Sequence, residues 1–204
     1  MLKFSFTSDE KTGSYLYSTT KETRMFTKVC GLTTKEQIDN AVELGYDAVG
    51  IVTYKKSKRY CPPETAVELA DYAKGKIKTF VVGIKYSDVR DAAPSFDYIQ
   101  IYEVKQAVPN LVLATKEAPH PDLRVDYVVY DASMGSGVFS EFPSWINDSR
   151  HKIIVAGGLT RDNVCRVINH VQPFGVDVSS GVEKNGIKDM GMMKAFIDAV
   201  RSCT

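Results

Sequence analysis

The sequence lacks the features that mark membrane, exported and nucleic-acid-binding proteins. Its 204 residues carry a formal net charge of +1, so composition provides no strongly basic surface for nucleic acid or an anionic membrane. No apolar run is long enough to cross a bilayer, and the N-terminus has no basic start followed by an apolar signal core. We therefore expect a cytoplasmic protein without nucleic-acid or membrane partners.

Cysteine and histidine are also scarce and scattered. The chain contains Cys30, Cys61, Cys165, Cys203, His120, His151 and His170. No two cysteines form a Cys-x-x-Cys pair, and the histidines have no supporting ligands at metal-site spacing. This pattern predicts free thiols in a reducing compartment, and it predicts no metal site.

The length suits one domain, and strand-like runs alternate with helix-like segments from residue 25 to the C-terminus. The predicted strands are 25–30, 47–52, 77–84, 98–102, 111–114, 127–130, 152–155 and 174–178. The predicted helices are 34–44, 63–74, 161–170 and 190–201. If the last strand pairs with the first, the sheet closes on itself. We therefore predict an α/β fold, a single (β/α)8 barrel over residues 25–204. An open doubly wound sheet is the alternative.

Two parts of the chain depart from a regular barrel. The 115–124 connection contains Pro119 and Pro121, so we expect some crossover helices to be shortened or replaced by loops. Residues 1–24 form an N-terminal extension with the alternating pattern of a β-hairpin. The extension either covers a barrel face or is a tail, and Met25 is an alternative first residue.

The last quarter of the chain has two glycine-bearing turns, each after a predicted strand. The first contains Gly157 and Gly158, and the second contains Ser179, Ser180 and Gly181. In a (β/α)8 barrel, backbone N–H groups after strands seven and eight, together with a short extra helix, surround a phosphate. We therefore expect a phosphorylated small molecule as ligand.

Reactive side chains stand at the carboxyl ends of the predicted strands, where barrel active sites lie. They are Cys30, Arg59, Gln100, Tyr102, Asp131 and Asp177. Cys30 is either a small buried hydrophobe or a base or nucleophile. Asp131, which precedes the glycine-rich loop 134–137, is either a turn-forming residue or a general acid. Arg59 is either solvated or a ligand for a substrate carboxylate, and Asp177 is either a satisfied barrel residue or a substrate contact.

Four motifs together resemble the phosphoribosylanthranilate isomerase family, from about Met25 to the C-terminus. The first is Lys28-Val29-Cys30-Gly31-Leu32-Thr33, and the second is Asp47-Ala48-Val49-Gly50 followed by Ser57-Lys58-Arg59-Tyr60. The third is Val155-Ala156-Gly157-Gly158-Leu159 with Asn163-Val164, and the fourth is the run from Pro173 to Glu183 followed by Gly186-Ile187-Lys188-Asp189. The resemblance implies an Amadori rearrangement in tryptophan biosynthesis that needs no cofactor. It also implies that Asp131 is the general acid, Cys30 the general base and Arg59 the ligand of the anthranilate carboxylate.

The resemblance further implies that Gly157, Gly158, Ser179, Ser180 and Gly181 hold the phosphate, with Gln100 and Asp177 also contacting substrate. One departure is Tyr102, which follows Gln100-Ile101 where the family usually has histidine. The alternatives are another sugar-phosphate isomerase, against which Cys30 argues, and a non-catalytic barrel that binds a phosphorylated ligand. Both a monomer and a homodimer fit the sequence.

Overall fold

A computed structural model describes residues 24–131 and 142–204. Eight parallel strands form one closed barrel in sequence order, which confirms the predicted (β/α)8 fold. The strands are β1 (Phe26–Cys30), β2 (Ala48–Val52), β3 (Lys78–Val82), β4 (Tyr98–Ile101), β5 (Leu111–Thr115), β6 (Tyr127–Asp131), β7 (Lys152–Ala156) and β8 (Gly175–Val178). β8 pairs with β1 in parallel, as predicted, and this pairing closes the barrel.

The first two helices begin and end where the sequence predicts. α1 (Lys35–Leu44) begins after Thr34, whose hydroxyl accepts a hydrogen bond from the Gln37 N–H, and ends at Gly45 with φ of 78°. α2 (Pro63–Ala73) has proline in its first turn, where the missing N–H costs nothing.

The middle of the barrel is abbreviated, as expected. One helical turn, α3 (Tyr86–Val89), and a 3-10 turn, Ala93–Ser95, connect β3 to β4. Loops without helix join β4 to β5 and β5 to β6 in the described chain. A 3-10 turn, Ser144–Ile146, precedes β7.

The C-terminal part contains α4 (Val164–Val171) and α5 (Met190–Ser202), with the short antiparallel pair β9 (Glu183–Lys184) and β10 (Ile187–Lys188) between β8 and α5. α4 begins later than predicted because Asn163 binds the preceding loop: its side chain accepts from the Thr160 N–H and donates to the Gly158 carbonyl. The predicted core face of α5, Met193, Phe196, Ile197 and Val200, is buried.

Successive side chains of β1 point alternately outward and inward, so they pack into two different hydrophobic cores. Val29 packs outward with the helices, while Phe26 packs with the aromatic and aliphatic side chains that fill the barrel interior. Lys28 has the same inward parity as Phe26 and Cys30, and it is completely buried. A charged side chain therefore stands inside the barrel, directly below the strand tip that carries Cys30.

The prediction of four free thiols is wrong for two of them. Cys165 on α4 and Cys203 after α5 form a disulfide, with Cα atoms 5.5 Å apart, because the two helices pack side by side. Cys30 and Cys61 are free. The hairpin predicted in 1–24, except Arg24, and the glycine-rich loop 134–137 lie outside the described residues. Of the helices in the described chain, none is long and apolar enough to span a membrane.

Candidate active site

A cavity of about 540 Å³ opens at the carboxyl ends of the strands. Among its lining residues are nine of the ten predicted site residues: Cys30, Arg59, Gln100, Asp131, Gly157, Gly158, Asp177, Ser179 and Ser180. Gly181 does not line the cavity but lies in the adjoining 3-10 turn, Ser180–Val182. A second cavity of about 620 Å³, near the starts of β5, β6 and β7, contains none of these residues.

Cys30 ends β1 and is partly exposed to the cavity. Its register partner on β2 is Gly50, and a Cβ at residue 50 would lie 2.6 Å from the Cys30 Sγ and 3.1 Å from the Lys28 Nζ. Glycine at this position therefore leaves room for the thiol. The neighbouring Gly31 has φ of 84°, and a Cβ there would collide with the stem of Arg59.

Beneath the thiol lies a buried ion pair. Lys28 on β1 and Asp177 on β8 are register partners, and Lys28 Nζ lies 2.6 Å from Asp177 Oδ2. Burial alone would lower the pKa of Lys28, but the charges of Asp177 and Cys30 outweigh it and the net shift is upward. Burial raises the pKa of Asp177 against the opposing charge of Lys28. The attraction across this short contact opposes the cost of burying each charge.

The surroundings of Cys30 shift the pKa of its thiol in opposite directions. Burial raises the pKa of the thiol, and Asp177 adds to that effect, whereas Lys28 and Lys188 act to lower it. The net shift is upward, so a thiolate formed here is a stronger base than an ordinary cysteine thiolate. A group of this kind is suited to removing a proton from carbon.

Asp131 ends β6 and is buried to 7% exposure. The Tyr102 hydroxyl, beyond the end of β4, donates a hydrogen bond of 2.7 Å to Asp131 Oδ2. Burial raises the pKa of Tyr102, and the nearby carboxylate raises it further, so Tyr102 is a neutral donor. The carboxyl group of Asp131 is thereby held in one orientation at the cavity wall.

Arg59 has a partner that the sequence did not predict. Its Nε and Nη2 donate hydrogen bonds of 2.5 and 2.7 Å to the two carboxylate oxygens of Glu183. Glu183 also pairs with Lys188 on β10. Burial would raise the pKa of Glu183, but the hydrogen bonds from Arg59 and Lys188 outweigh it and the net shift is downward. Burial lowers the pKa of Lys188 against the opposing effect of Glu183.

The two glycine-bearing turns pack against each other. Gly157 and Gly158 have φ of 88° and 69°, a conformation that favours glycine. A Cβ on Gly181 would lie 1.9 Å from the Leu159 carbonyl oxygen, so the second turn touches the backbone of the first. The Ser179 hydroxyl donates to the Cys30 carbonyl at 2.9 Å, which ties the second turn to the tip of β1.

Two buried polar atoms at the cavity have no hydrogen-bond partner among the described residues. They are the side-chain carbonyl oxygen of Gln100 and Oδ1 of Asp177, on residues that are 3% and 6% exposed. Leaving such atoms unpaired costs roughly 1–3 kcal/mol each. Both side chains therefore fit a cavity that receives hydrogen-bond donors from a ligand.

Three charged residues around the cavity were missed at the level of sequence: Lys28, Glu183 and Lys188. Lys28 carried a usable signal, since it has inward parity in a predicted strand and its partner strand carries Asp177. Glu183 and Lys188 belong to the fourth motif, but the two-residue strands of the β9–β10 hairpin that carries them have no periodic pattern to predict their positions. Among residues 24–131 and 142–204, no group of three or more histidine, cysteine or acidic residues is arranged to hold a metal ion.

Comparison with known proteins gives one consistent result. Residues 27–199 match the family model described as N-(5'phosphoribosyl)anthranilate (PRA) isomerase. A protein of Streptococcus mutans named N-(5'-phosphoribosyl)anthranilate isomerase is 35% identical over 189 residues, covering 85% of this chain and 97% of the relative.

Solved structures agree with this match. TrpF from Jonesia denitrificans superposes with a TM-score of 0.74 at 28% identity, covering 88% of this chain and 98% of the relative. A phosphoribosyl anthranilate isomerase in complex with reduced 1-(o-carboxyphenylamino)-1-deoxyribulose 5-phosphate superposes with a TM-score of 0.70 at 27% identity, covering 87% and 99%.

Proposed function

The chain belongs to the N-(5'-phosphoribosyl)anthranilate isomerase family, and we propose that Cys30 and Asp131 carry out its reaction as general base and general acid. The reaction is the Amadori rearrangement of N-(5-phosphoribosyl)anthranilate to 1-(2-carboxyphenylamino)-1-deoxyribulose 5-phosphate, a step of tryptophan biosynthesis. The observation that supports these roles is that a thiol and a carboxyl group line one cavity beside two glycine-bearing turns.

The first step is ring opening. Asp131 in its acid form donates a proton to the ribose ring oxygen, and the bond between C1 and that oxygen breaks. The nitrogen lone pair forms the C1=N bond of a Schiff base, and Asp131 is left as carboxylate. The hydrogen bond from Tyr102 supports this role because it fixes the carboxyl group before and after the transfer.

The second step is proton removal from C2. The thiolate of Cys30 takes this proton, the C2–H electrons form the C1=C2 bond, and the C1=N electrons return to nitrogen. The resulting enolamine then tautomerises to the ketone, so the atoms of substrate and product are the same. The upward-shifted pKa of Cys30 supports a base of the strength this step requires.

Substrate binding divides among the glycine-bearing turns, the Arg59 guanidinium and two buried polar side chains. We assign the phosphate to the backbone N–H groups of Gly157, Gly158, Ser179, Ser180 and Gly181, since the first N–H groups of a helical turn lack partners within it. Arg59 holds the anthranilate carboxylate through Nη1, because Glu183 already occupies its Nε–Nη2 edge. Gln100 and Asp177 accept hydrogen bonds from the ribose hydroxyls through their unpaired oxygens.

The remaining assignments concern the whole molecule. We assign catalysis to a domain of residues 25–204 and treat 1–24 as an extension. The enzyme is proposed to act in the cytoplasm, where the pathway supplies its substrate, as a monomer or homodimer. Size-exclusion chromatography with light scattering distinguishes these two states, and activity of a 25–204 variant tests the domain boundary.

The decisive assay follows the fluorescence of N-(5-phosphoribosyl)anthranilate after addition of the full-length protein. The expected result is enzyme-dependent loss of fluorescence, with a product of unchanged mass. The Streptococcus mutans relative serves as the reference enzyme. Binding of substrate without turnover would favour the non-catalytic barrel and contradict the roles of Cys30 and Asp131.

A further inference from the structure

We propose that Lys28 is a positioning residue for the isomerase reaction: its ammonium group, fixed by Asp177, holds the thiolate form of Cys30 at the cavity. The proposal rests on the proposed function, since it gives Cys30 a base's role. Lys28 Nζ lies 2.6 Å from Asp177 Oδ2, and Lys28 Nζ and Cys30 Sγ border the same space, 3.1 and 2.6 Å from where a Cβ at Gly50 would lie. Lys28 is 0% exposed, so this ammonium contacts protein groups rather than bulk water.

A purely structural ion pair across the β1–β8 seam explains these contacts less well. Burying two charges costs several kcal/mol per ion, and apolar side chains often close such a seam at no loss of stability. Asp177 Oδ1 has no hydrogen-bond partner among the described residues, so the pair is incompletely satisfied as a structural element. The arrangement is better accounted for by its position directly beneath a reactive thiol.

Gly50 provides the space in which the thiol and the ammonium meet. A Cβ at residue 50 would lie 2.6 Å from the Cys30 Sγ and 3.1 Å from the Lys28 Nζ. Because β2 contributes no side chain here, the two groups lie side by side on β1 despite the intervening Val29. Three strands, β1, β2 and β8, therefore place the ammonium near the sulfur.

The charges around Cys30 oppose the burial that raises the pKa of its thiol. The groups that act on it electrostatically are Lys28, Asp177, Lys188, Arg59 and Tyr102, and Glu183 is bound to both Arg59 and Lys188. Three cations thus face two carboxylates, because Tyr102 is neutral. One negative charge on Cys30 balances the excess when Asp131, the acid of the first step, carries its proton.

Lys28 keeps its proton throughout the cycle. In the reaction Asp131 loses a proton to the ring oxygen, and the Cys30 thiolate gains one from C2. The single negative charge therefore moves from sulfur to carboxylate, and Lys28 donates a hydrogen bond without transferring its proton. Of the charges acting on Cys30, Lys28 has the largest lowering effect on the pKa of the thiol, and Asp177 has a smaller raising effect.

The test measures the thiolate of Cys30 without relying on isomerase activity. The rate of iodoacetamide alkylation at Cys30 is followed against pH by mass spectrometry in the full-length protein and in Lys28→Met, Lys28→Arg and Lys152→Met. Lys152 is an exposed lysine at the start of β7 and serves as the matched control. Cys61, whose pKa burial raises to about 11, provides an internal reference.

We expect Lys28→Met to move the Cys30 profile upward by about one pH unit or more, a tenfold loss of thiolate at a given pH below the pKa. Lys28→Arg should restore most of the shift because it keeps the positive charge, and Lys152→Met should leave the profile unchanged. The pH at which kcat/KM rises should move with the alkylation profile in each variant.

A second variant distinguishes a folding defect from a direct effect of Lys28 on Cys30. Lys28→Met leaves a buried carboxylate unpaired, so Lys28→Met/Asp177→Asn removes both charges and is checked by circular dichroism. Its profile should still move upward, because the effect of Lys28 on Cys30 exceeds that of Asp177. Identical profiles in Lys28→Met and Lys152→Met would overturn the proposal. A shifted profile in a chain without isomerase activity would refute the proposed function and support the role of Lys28.

Discussion

The Tyr102 hydroxyl donates a hydrogen bond of 2.7 Å to Oδ2 of Asp131, across two strand ends that are separated by 29 residues in the sequence. The family resemblance of the sequence implies a histidine at this strand end, where this chain has Tyr102. Tyrosine and histidine both offer a hydrogen-bond donor on a flat ring. Tyr102 therefore supplies a hydrogen-bond donor to Asp131, the proposed general acid, as a histidine at this position could.

The first prediction follows from this contact. Tyr102→Phe removes the donor and should lower kcat/KM at least about tenfold, since a hydrogen bond to a carboxylate contributes roughly 1.5–3 kcal/mol. Tyr102→His should recover part of the loss. Tyr72→Phe is the matched control, because Tyr72 makes the same kind of bond to Asp39 on the protein surface. Equal effects of the two Phe variants on kcat/KM would argue against a role for Tyr102 in orienting Asp131.

The second prediction concerns the acid and the base themselves. Cys30→Ala and Asp131→Asn should each lower turnover by about two decades or more, the usual contribution of a positioned proton-transfer group. Steady-state fluorescence kinetics measure the loss, and unchanged melting temperatures establish that the fold is intact. Cys61→Ala, at a buried cysteine outside the cavity, should leave turnover near that of the unmodified chain. Turnover near normal in either site variant would refute the assigned role of that residue.

The sequence predicts those parts of the site that follow from the order of the strands. It does not predict contacts that depend on the register between strands distant in sequence. The meeting of Cys30 and Asp131 in one cavity was predictable, because parallel strands in a closed barrel bring their carboxyl ends to one rim. The pairing of Lys28 with Asp177 required the register of β1 against β8, residues 149 positions apart in sequence. Parity alone placed Lys28 inside the barrel but named no partner.

The other gaps have the same origin. Glu183 reaches Arg59 across 124 positions through a short hairpin whose two-residue strands give no periodic signal. The Cys165–Cys203 bond depends on the packing of α4 against α5, which cysteine spacing does not reveal. The local features, such as the Thr34 cap and the Gly45 stop, were predictable because each is fixed by residues within one turn.

The third prediction tests how Arg59 binds substrate. Arg59→Ala should raise KM about ten- to a hundredfold with a smaller change in kcat, because a charge-assisted contact to the anthranilate carboxylate is lost. Glu183→Gln should raise KM about three- to tenfold, since the guanidinium is then less firmly oriented. Arg161→Ala, at an exposed arginine paired with its neighbour Asp162, is the control.

A substrate analogue sharpens this test. With N-(5-phosphoribosyl)aniline, which lacks the carboxylate, Arg59→Ala and the unmodified chain should show similar KM values. A KM for the natural substrate that is unaffected by Arg59→Ala would contradict the carboxylate role. It would leave Arg59 as a link between the loops that follow β2 and β8.

The fourth prediction concerns the backbone of the phosphate turns. In Gly181→Ala the new Cβ would lie 1.9 Å from the Leu159 carbonyl oxygen, so the two turns must separate. Overpacking of this kind costs roughly 1–3 kcal/mol, which should lower the melting temperature, and displaced N–H groups should weaken phosphate binding. We expect KM and the inhibition constant of inorganic phosphate to rise together by about tenfold or more, since both depend on the same donors.

Gly191→Ala is the matched control for this variant. Gly191 lies in the first turn of α5, where a Cβ would come no closer than 3.2 Å to Asp189 Oδ1, and alanine is the better helix former by about 1 kcal/mol. This variant should keep its phosphate inhibition constant, and its melting temperature should not fall. If Gly181→Ala lowered the melting temperature but left the phosphate inhibition constant unchanged, the second turn would be a packing element. The phosphate would then have to be held by Gly157 and Gly158 without it.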